Sequence, residues 1–147
     1  MATTSVIAAA EDFEGLIYPS EVVKVSSQVS GILEEVAVER GDLVKKGQVL
    51  ARLKSGQEKV SLELARANVE FLKRKMERNV ELARKKLISA HENDELVTEL
   101  RKAELQLEEV QEKLKLRTIQ STIDGVVTER LMAPGDYVGE APILKLA

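Results

Sequence analysis

A 22-residue stretch near the start of the chain recurs 94 residues further on, and this repeat constrains the fold more than any other feature. Residues 29–50 read VSGILEEVAVERGDLVKKGQVL, and residues 123–144 read IDGVVTERLMAPGDYVGEAPIL. Two copies of so short a unit are expected to fold against each other, because neither has enough apolar surface to fold alone. The identical pairs are Gly31 with Gly125, Glu35 with Glu129, Gly41-Asp42 with Gly135-Asp136, Val44 with Val138, and Leu50 with Leu144.

Each copy has the pattern of a strand, a tight turn and a second strand. Short β-branched runs mixed with polar residues are typical of half-buried strands, and second strands are predicted at Val49–Leu53 and residues 143–146. Glycine tolerates positive φ and aspartate bonds to nearby backbone, so the Gly-Asp pairs predict tight turns. The two copies are predicted to face each other as a small sandwich. The predicted structural turn residues are Gly31, Gly41, Asp42, Gly125, Gly135 and Asp136.

Between the copies, residues 57–117 have the spacing of a helical hairpin. Apolar residues alternate at intervals of three and four in both halves, which predicts a heptad seam on each of two helices. Ser89 and Glu92 have the spacing of a capping box, so the second helix is predicted to begin just after Ser89 and to run antiparallel to the first. The seam positions are Leu62, Ala65, Val69, Leu72, Met76, Asn79 and Ala83, then Leu96, Leu100, Ala103, Leu107, Val110 and Leu114.

The two predicted helices differ in charge. Residues 59–86 contain nine basic and four acidic side chains, whereas residues 92–117 contain eight acidic and five basic ones. Opposite signs favour pairing of the helices, although each exposed ion pair contributes under about 1 kcal/mol.

Composition disfavours several classes of function. The net charge of −3 gives no indication of nucleic-acid binding, and basic runs on a helix without aromatic residues are typical of a solvated face. The chain has no cysteine and a single histidine, His91, so neither a thiolate nor a histidine-cluster metal site is expected. No apolar run approaches the roughly 20 residues of a membrane helix. We find no nucleophile-and-base arrangement and no phosphate loop, and we predict that the protein is not an enzyme.

Two half-motifs of the form G-x(9)-GD-x-V around a heptad hairpin resemble the periplasmic adaptor (membrane fusion protein) family of HlyD and resistance-nodulation-division systems. The resemblance implies an α+β fold, in which a barrel-sandwich-hybrid (lipoyl-like) β domain is interrupted by a long antiparallel two-helix coiled-coil hairpin. The expected divisions are an N-terminal segment at 1–21, half-motifs at 22–55 and 119–147, and the hairpin at 56–118. Strand-like residues 13–18 and 22–25 have no obvious partner, and the first of these is expected to be loosely held.

The resemblance also implies a docking site at the hairpin tip. Adaptors that dock on TolC-like outer-membrane channels have an Arg-x3-Leu-x6-Ser pattern there, and this chain has Arg78, Leu82 and Ser89 at that spacing, with Asp94 following. At 100° per residue, Arg78 and Leu82 lie about 40° apart on one helix face. An exposed arginine, a leucine flanking the seam and an N-cap serine would account for the same residues structurally.

From this family the chain is expected to link an inner-membrane transporter to the outer-membrane channel and to self-associate into a ring. It is expected in the periplasm of a Gram-negative bacterium, associated with the inner membrane in the full-length protein, and without a cofactor. Neither the β-barrel nor the membrane-proximal domain of such adaptors is recognised, so a truncated or unusually short adaptor is expected. Two alternatives are a biotin or lipoate carrier-like domain and a structural coiled-coil spacer. The carrier lacks support, since about 60 helical residues stand where its Met-Lys-Met hairpin would be.

Overall fold

The computed structural model describes residues 21–147, which form two compact units. The β unit comprises residues 21–52 and 119–147, and the helical unit comprises Leu53–Thr118. The strands are β1 (Val23–Val25), β2 (Gly31–Val36), β3 (Leu43–Val44), β4 (Val49–Leu53), β5 (Thr118–Gln120), β6 (Gly125–Arg130), β7 (Tyr137–Val138) and β8 (Leu144–Leu146). The helices are α1 (Gly56–Arg84) and α2 (Ala90–Lys115). The predicted fold class is confirmed.

Both sheets mix strands from the two copies of the repeat. One sheet has the order β1-β8-β6-β3 and the other has the order β5-β4-β2-β7. Strand β2 of the first copy pairs with β7 of the second, and β3 of the first copy pairs with β6 of the second. The predicted sandwich is therefore present. Each of its two sheets contains strands from both copies, and the alternation of apolar and polar residues within one copy did not indicate this pairing.

The turn of each copy is bonded to the strand of the other copy by an equivalent set of hydrogen bonds. Gly135 N–H donates to the carbonyl of Leu33 at 2.7 Å, and Leu33 N–H donates to the carbonyl of Asp136 at 2.9 Å. In the other half, Gly41 N–H donates to Val127 at 2.7 Å, and Val127 N–H donates to Asp42 at 2.9 Å. The sequence repeat thus corresponds to a pseudo-two-fold relation between the two sheets.

The predicted Gly-Asp turns are present. Gly41 and Gly135 have φ values of +92° and +96°, which L side chains rarely adopt. The Asp42 carboxylate accepts the Glu39 N–H at 2.8 Å, and the Asp136 carboxylate accepts the Ala133 N–H at 2.9 Å. Glycine and aspartate therefore close the same turn in both copies.

The prediction that Gly31 and Gly125 are turn residues is wrong, because they are the first residues of β2 and β6. At Gly125 the reason for glycine is a close approach of two backbone segments. A Cβ atom there would lie 2.5 Å from the carbonyl oxygen of Ala147. The missing side chain lets β6 pair tightly with its neighbour.

The repeat extends further towards the N-terminus than sequence comparison showed. Ser27 Oγ donates to the carbonyl of Val29 at 2.6 Å and accepts the Val29 N–H at 3.2 Å. Ser121, 94 residues later, makes the same pair of bonds with Ile123 at 2.5 and 3.3 Å. The short strands β1 and β5, which precede these serines, hold corresponding places at the edges of the two sheets.

The strand-like residues 22–25 include β1, which pairs antiparallel with β8. Their partner thus lies in the second copy of the repeat. The other strand-like stretch, residues 13–18, lies outside the described residues, so its predicted looseness stays a prediction. In the second copy, the strand predicted at 143–146 begins one residue later, at Leu144.

The β unit has a core of branched aliphatic side chains. Its largest side chains are excluded from solvent almost completely, and each contributes about 1.5–3 kcal/mol relative to exposure. The chain is therefore able to form a sandwich core despite its few aromatic residues. The fully buried residues of this unit include Leu33, Leu50, Val127, Val138, Ile143, Leu144 and Leu146.

In the helical unit, the predicted seam lies between the two helices. Val69, Leu72, Leu96 and Ala103 form a buried cluster. Met76, Leu100 and Leu107, all predicted seam residues, pack against this cluster. Ala83, the last seam position predicted on α1, is exposed. The seam on α1 therefore ends before the turn between the helices.

Candidate functional site at the hairpin tip

Residues 85–89 connect α1 to α2 and form a Schellman turn. Lys86 has a φ of +60°, in the left-handed region where glycine is usual. Its N–H donates to the carbonyl of Ala83 at 3.0 Å, and the Leu87 N–H donates to the carbonyl of Leu82 at 2.8 Å. These two bonds satisfy carbonyls that the end of a helix would otherwise leave open, so the tip has one defined backbone conformation.

Ser89 is the N-cap of α2, as predicted. Its backbone is extended, at φ −76° and ψ 158°, and its hydroxyl accepts the Glu92 N–H at 3.1 Å. The bond from the Glu92 side chain back to the Ser89 N–H, which would complete a capping box, is not found among the described residues. Ser89 therefore has a structural task at the tip, whatever else it contacts.

The predicted docking residues differ in their burial and in the contacts they make within the hairpin. Arg78 is exposed on the penultimate turn of α1 and forms no ion pair with any described residue. Leu82 is half-buried, and its carbonyl is bonded by Leu87 in the Schellman turn. Asp94 is exposed on the first turns of α2. These three residues and Ser89 are the four predicted docking residues, and all four lie in the tip half of the hairpin. Of the four, Leu82 and Ser89 make hydrogen bonds that hold the turn.

Sequence reasoning missed Leu87. Its side chain is 67% exposed in the connection, directly after the strained Lys86. An apolar side chain held outward by a bonded turn is a ready contact for a partner. The sequence did offer a signal, because a leucine follows two lysines in the short connection before the N-cap Ser89. The family pattern of Arg, Leu and Ser does not include this position.

A second apolar line runs along α1 away from the seam. Val60, Leu64 and Phe71 are 63%, 69% and 49% exposed, and with Ala67 they are spaced by four, three and four residues. We call these four residues the α1 outer stripe. Arg78 follows Phe71 by seven residues, so it points in nearly the same direction as the stripe. At 100° per residue, Val69 of the seam lies about 140–180° from the stripe residues, and Leu72 lies about 80–140° from them.

Within residues 21–147, the oppositely charged side chains of the two helices form few ion pairs from one helix to the other. Most described ion pairs of the helices join residues of one helix, such as Arg84 with Glu81 at 2.6 Å and His91 with Glu95 at 3.0 Å. The exception is Arg117, just after α2, which pairs with Glu58 at 3.1 Å. In the tip half, several lysines and arginines of α1 and carboxylates of α2 form no ion pair with any residue of the described region. These include Lys73, Arg74, Lys75, Arg78, Asp94 and Glu99.

The described part of the hairpin has grooves between its helices, and two of them differ in size and position. One, of about 220 Å³, is near the tip and is lined by Lys75, Asn79 and carboxylates of α2. The other, of about 510 Å³, is near the start of α1 and is lined by Glu58, Leu64 and Val110 among others. Within residues 21–147, no group of three or more His, Asp or Glu side chains is placed to hold a metal ion. Neither of the two described helices has an apolar stretch that could cross a bilayer.

Comparison with known proteins gives the family. The CzcB-like barrel-sandwich hybrid domain matches residues 21–147. A MacA–MexA chimera containing the Pseudomonas aeruginosa MexA α-hairpin domain is 25% identical, with a TM-score of 0.81 over 87% of this chain and 48% of its own. A Bacteroides eggerthii protein named as an efflux transporter is 27% identical, with a TM-score of 0.75 over 86% of this chain and 39% of its own.

A Haemophilus influenzae protein without an assigned function is 29% identical over 124 residues, which are 84% of this chain and 32% of that protein. The chain thus spans about a third to a half of the length of these relatives. The match to the family covers the whole described region, including both halves of the repeat and the hairpin. The chain belongs to the CzcB-like barrel-sandwich hybrid family of membrane fusion proteins, the periplasmic adaptors of efflux systems.

Proposed function

We propose that the chain is the hairpin-bearing part of a periplasmic adaptor that links an inner-membrane transporter to a TolC-like outer-membrane channel. The family match and the hairpin inserted in the β unit support this role. The contact with the transporter belongs to parts of a longer adaptor, since the relatives extend well beyond the matched region. The expected location is the periplasm of a Gram-negative bacterium, at the inner membrane. The proposed role is mechanical coupling, not catalysis.

The observation that carries the proposal is Arg78, which is exposed and unpaired among the described residues on a helix whose end is fixed by a Schellman turn. A guanidinium group that the fold does not use is available for charge-assisted hydrogen bonds to carbonyl or carboxylate groups of a channel. The rigid turn lowers the entropy that docking would cost.

Leu82 and Leu87 add an apolar contact to the charged one. Leu82 lies one helical turn after Arg78, and Leu87 is held at the turn by its bond to Leu82. These side chains would fill a notch between two helices of the channel, as coiled-coil knobs fill holes. Ser89 and Asp94, on the α2 side of the tip, would provide hydrogen-bonding groups beside that contact.

The same proposal includes self-association of the adaptor into a ring. The α1 outer stripe has the four-three-four spacing of a helix-packing surface and is exposed in the single chain. Basic side chains of α1 and carboxylates of α2 that form no ion pair with a described residue would be complementary between neighbouring copies. Hairpins placed side by side would cover the stripe.

The test is transport in a strain that lacks its own adaptor, supplied with the complete protein carrying Arg78→Asp. Transport should be lost, while helicity and thermal stability of the chain stay close to wild type. Arg101→Asp is the matched control, because Arg101 is an exposed arginine in the middle of α2, likewise unpaired among the described residues and 12 residues after Ser89. It should transport normally. Normal transport with Arg78→Asp would refute the docking role.

Two further variants separate docking from folding. Leu72 is 6% exposed in the seam, so Leu72→Asp should unfold the hairpin and lose both helicity and transport. Leu82→Asp should lose transport with only a small loss of stability, because Leu82 is half-buried. If Arg78→Asp lost as much helicity as Leu72→Asp, Arg78 would be a structural residue and not a docking residue.

A further inference from the structure

The larger groove of the hairpin lies between α1 and α2 at the end away from the tip. Its volume is about 510 Å³, within the range of about 300–1,000 Å³ that is typical of small-molecule sites. All of its lining residues belong to the two helices. They include Glu58, Ser61, Leu64 and Ala65 of α1 and Gln106 and Val110 of α2.

A small residue at a seam position accounts for the groove. Ala65 is half-buried, whereas the next two seam positions of α1, Val69 and Leu72, are 5% and 6% exposed. An alanine leaves unfilled the space that a leucine would take between two packed helices. Val110 of α2, which is 7% exposed, lines the same groove, so part of its wall is apolar.

The Glu58 carboxylate, which lines the groove, has one oxygen that the fold does not satisfy. Its Oε1 pairs with Arg117 Nη2 at 3.1 Å, whereas its Oε2 is buried and has no hydrogen-bond partner among the described residues. The Glu58 side chain is only 19% exposed. A buried carboxylate oxygen without a donor is unfavourable, and folded proteins normally supply a partner from the chain, from water or from a ligand.

The groove is polar near the start of α1 and apolar further along. The Ser61 hydroxyl lies one helical turn after Glu58, and Leu64 and Ala65 follow it. Lys113 also lines the groove, but its ammonium group pairs with Glu109 of the same helix at 3.1 Å. Glu58 and Ala65 are seven residues apart, which is about 10 Å along the helix axis. This arrangement suits an elongated molecule that has hydrogen-bond donors at one end and an apolar body.

We propose that this groove binds an amphiphilic primary amine, whose ammonium group donates to Glu58 Oε2 and whose alkyl body lies against Ala65 and Val110. An ammonium group has three donors, so it can bond to the Ser61 hydroxyl as well as to the carboxylate. Hydrogen bonds between two charged groups are about twice as strong as neutral ones, which favours an amine over an alcohol of the same shape. An alkyl carboxylate has no donor and would be repelled by Glu58. The inference requires neither the channel nor association of the chain.

The experiment is a nuclear magnetic resonance titration of the isotope-labelled chain with octylamine, and with octanoate as the probe of opposite charge. Octylamine should bind with a Kd of about 1 mM or tighter and shift the amide signals of Ser61 and Val110, whereas octanoate should not bind. Glu58→Gln should weaken octylamine binding about tenfold or more, because it removes the charge and keeps the shape of the side chain. Ala65→Leu should weaken it by a similar factor, because the leucine fills the groove while Glu58 stays in place.

Glu70→Gln is the matched control, because Glu70 is an exposed glutamate of α1 that does not line the groove. It should bind octylamine like wild type, as should the docking variant Arg78→Asp, so this inference and the docking role fail independently. Circular dichroism should show that the groove variants keep the helicity of the wild type. Octanoate binding as tight as that of octylamine, unchanged binding by Ala65→Leu, or shifts that do not saturate and spread over all carboxylates would overturn the proposal.

Discussion

Replacing Gly125 with alanine should destabilise the β unit by about 1.5–4.5 kcal/mol. The new Cβ would lie 2.5 Å from the Ala147 carbonyl oxygen and has to reach at least 3.4 Å for ordinary contact. That oxygen accepts the Val126 N–H at 2.9 Å, and Val126 in turn accepts the Ala147 N–H at 2.9 Å. Moving the strands apart costs about 1–3 kcal/mol in strain and about 0.5–1.5 kcal/mol for a lost hydrogen bond.

Gly56→Ala is the matched control, because it adds the same methyl group where nothing lies within 4 Å. Gly56 begins α1, so alanine should be neutral or stabilising by up to about 1 kcal/mol. Urea unfolding followed by far-ultraviolet circular dichroism measures both changes, and hydrogen exchange at β6 and β8 locates the loss. If Gly125→Ala were as stable as Gly56→Ala, close backbone approach would not be the reason for glycine at this position.

Three smaller changes test other parts of the structure. Lys86→Gly should stabilise the hairpin by about 0.5–1 kcal/mol, since Lys86 has a φ of +60°, and thermal unfolding that is unchanged or lower would contradict this. Ser89→Ala should cost about 1 kcal/mol of stability through loss of the N-cap bond, with Ser61→Ala inside α1 as a control for the substitution itself. Ser121→Ala should lower the free energy of unfolding in urea by about 1–2 kcal/mol, because the serine is 3% exposed and its hydroxyl makes both of its hydrogen bonds to Ile123. Ser27, its counterpart in the repeat, is more exposed, and a smaller effect for Ser121→Ala than for Ser27→Ala would show that burial is not the deciding factor.

The hairpin was predictable from sequence because its information is local. Three-four spacing identifies a seam wherever two helices pack, and the buried cluster around Leu72 and Leu96 matches the predicted positions. The N-cap at Ser89 was predictable for the same reason, since it depends on residues three apart. The end of the seam was not predictable. At Ala83 the helix enters its C-terminal turn, and the bond to the Leu82 carbonyl from Leu87 depends on a backbone conformation that a lysine does not indicate.

The pairing of strands was beyond reach of sequence patterns. Alternation identifies which residues face inward but not which strand lies beside which, and here the partners belong to different copies of the repeat. The role of Gly125 was missed for a related reason. Gly125 was predicted to be a turn residue, but its actual constraint is the close approach of Ala147, 22 residues later in the sequence. Both misses concern contacts between distant segments.

The two copies of the repeat show which residues the fold requires and which it leaves free. Residues identical in both copies include Gly41 with Gly135 and Asp42 with Asp136, whose backbone groups cross between the copies. A side chain at Gly41 or Gly135 would strain the positive-φ turn that positions these backbone groups for the other half of the sandwich. Lys46 and Glu140 are exposed, and their difference leaves the paired architecture intact. Because the fold tolerates opposite charges at this position, the repeat constrains the residues of the turn and leaves the surface charge of each copy free to differ.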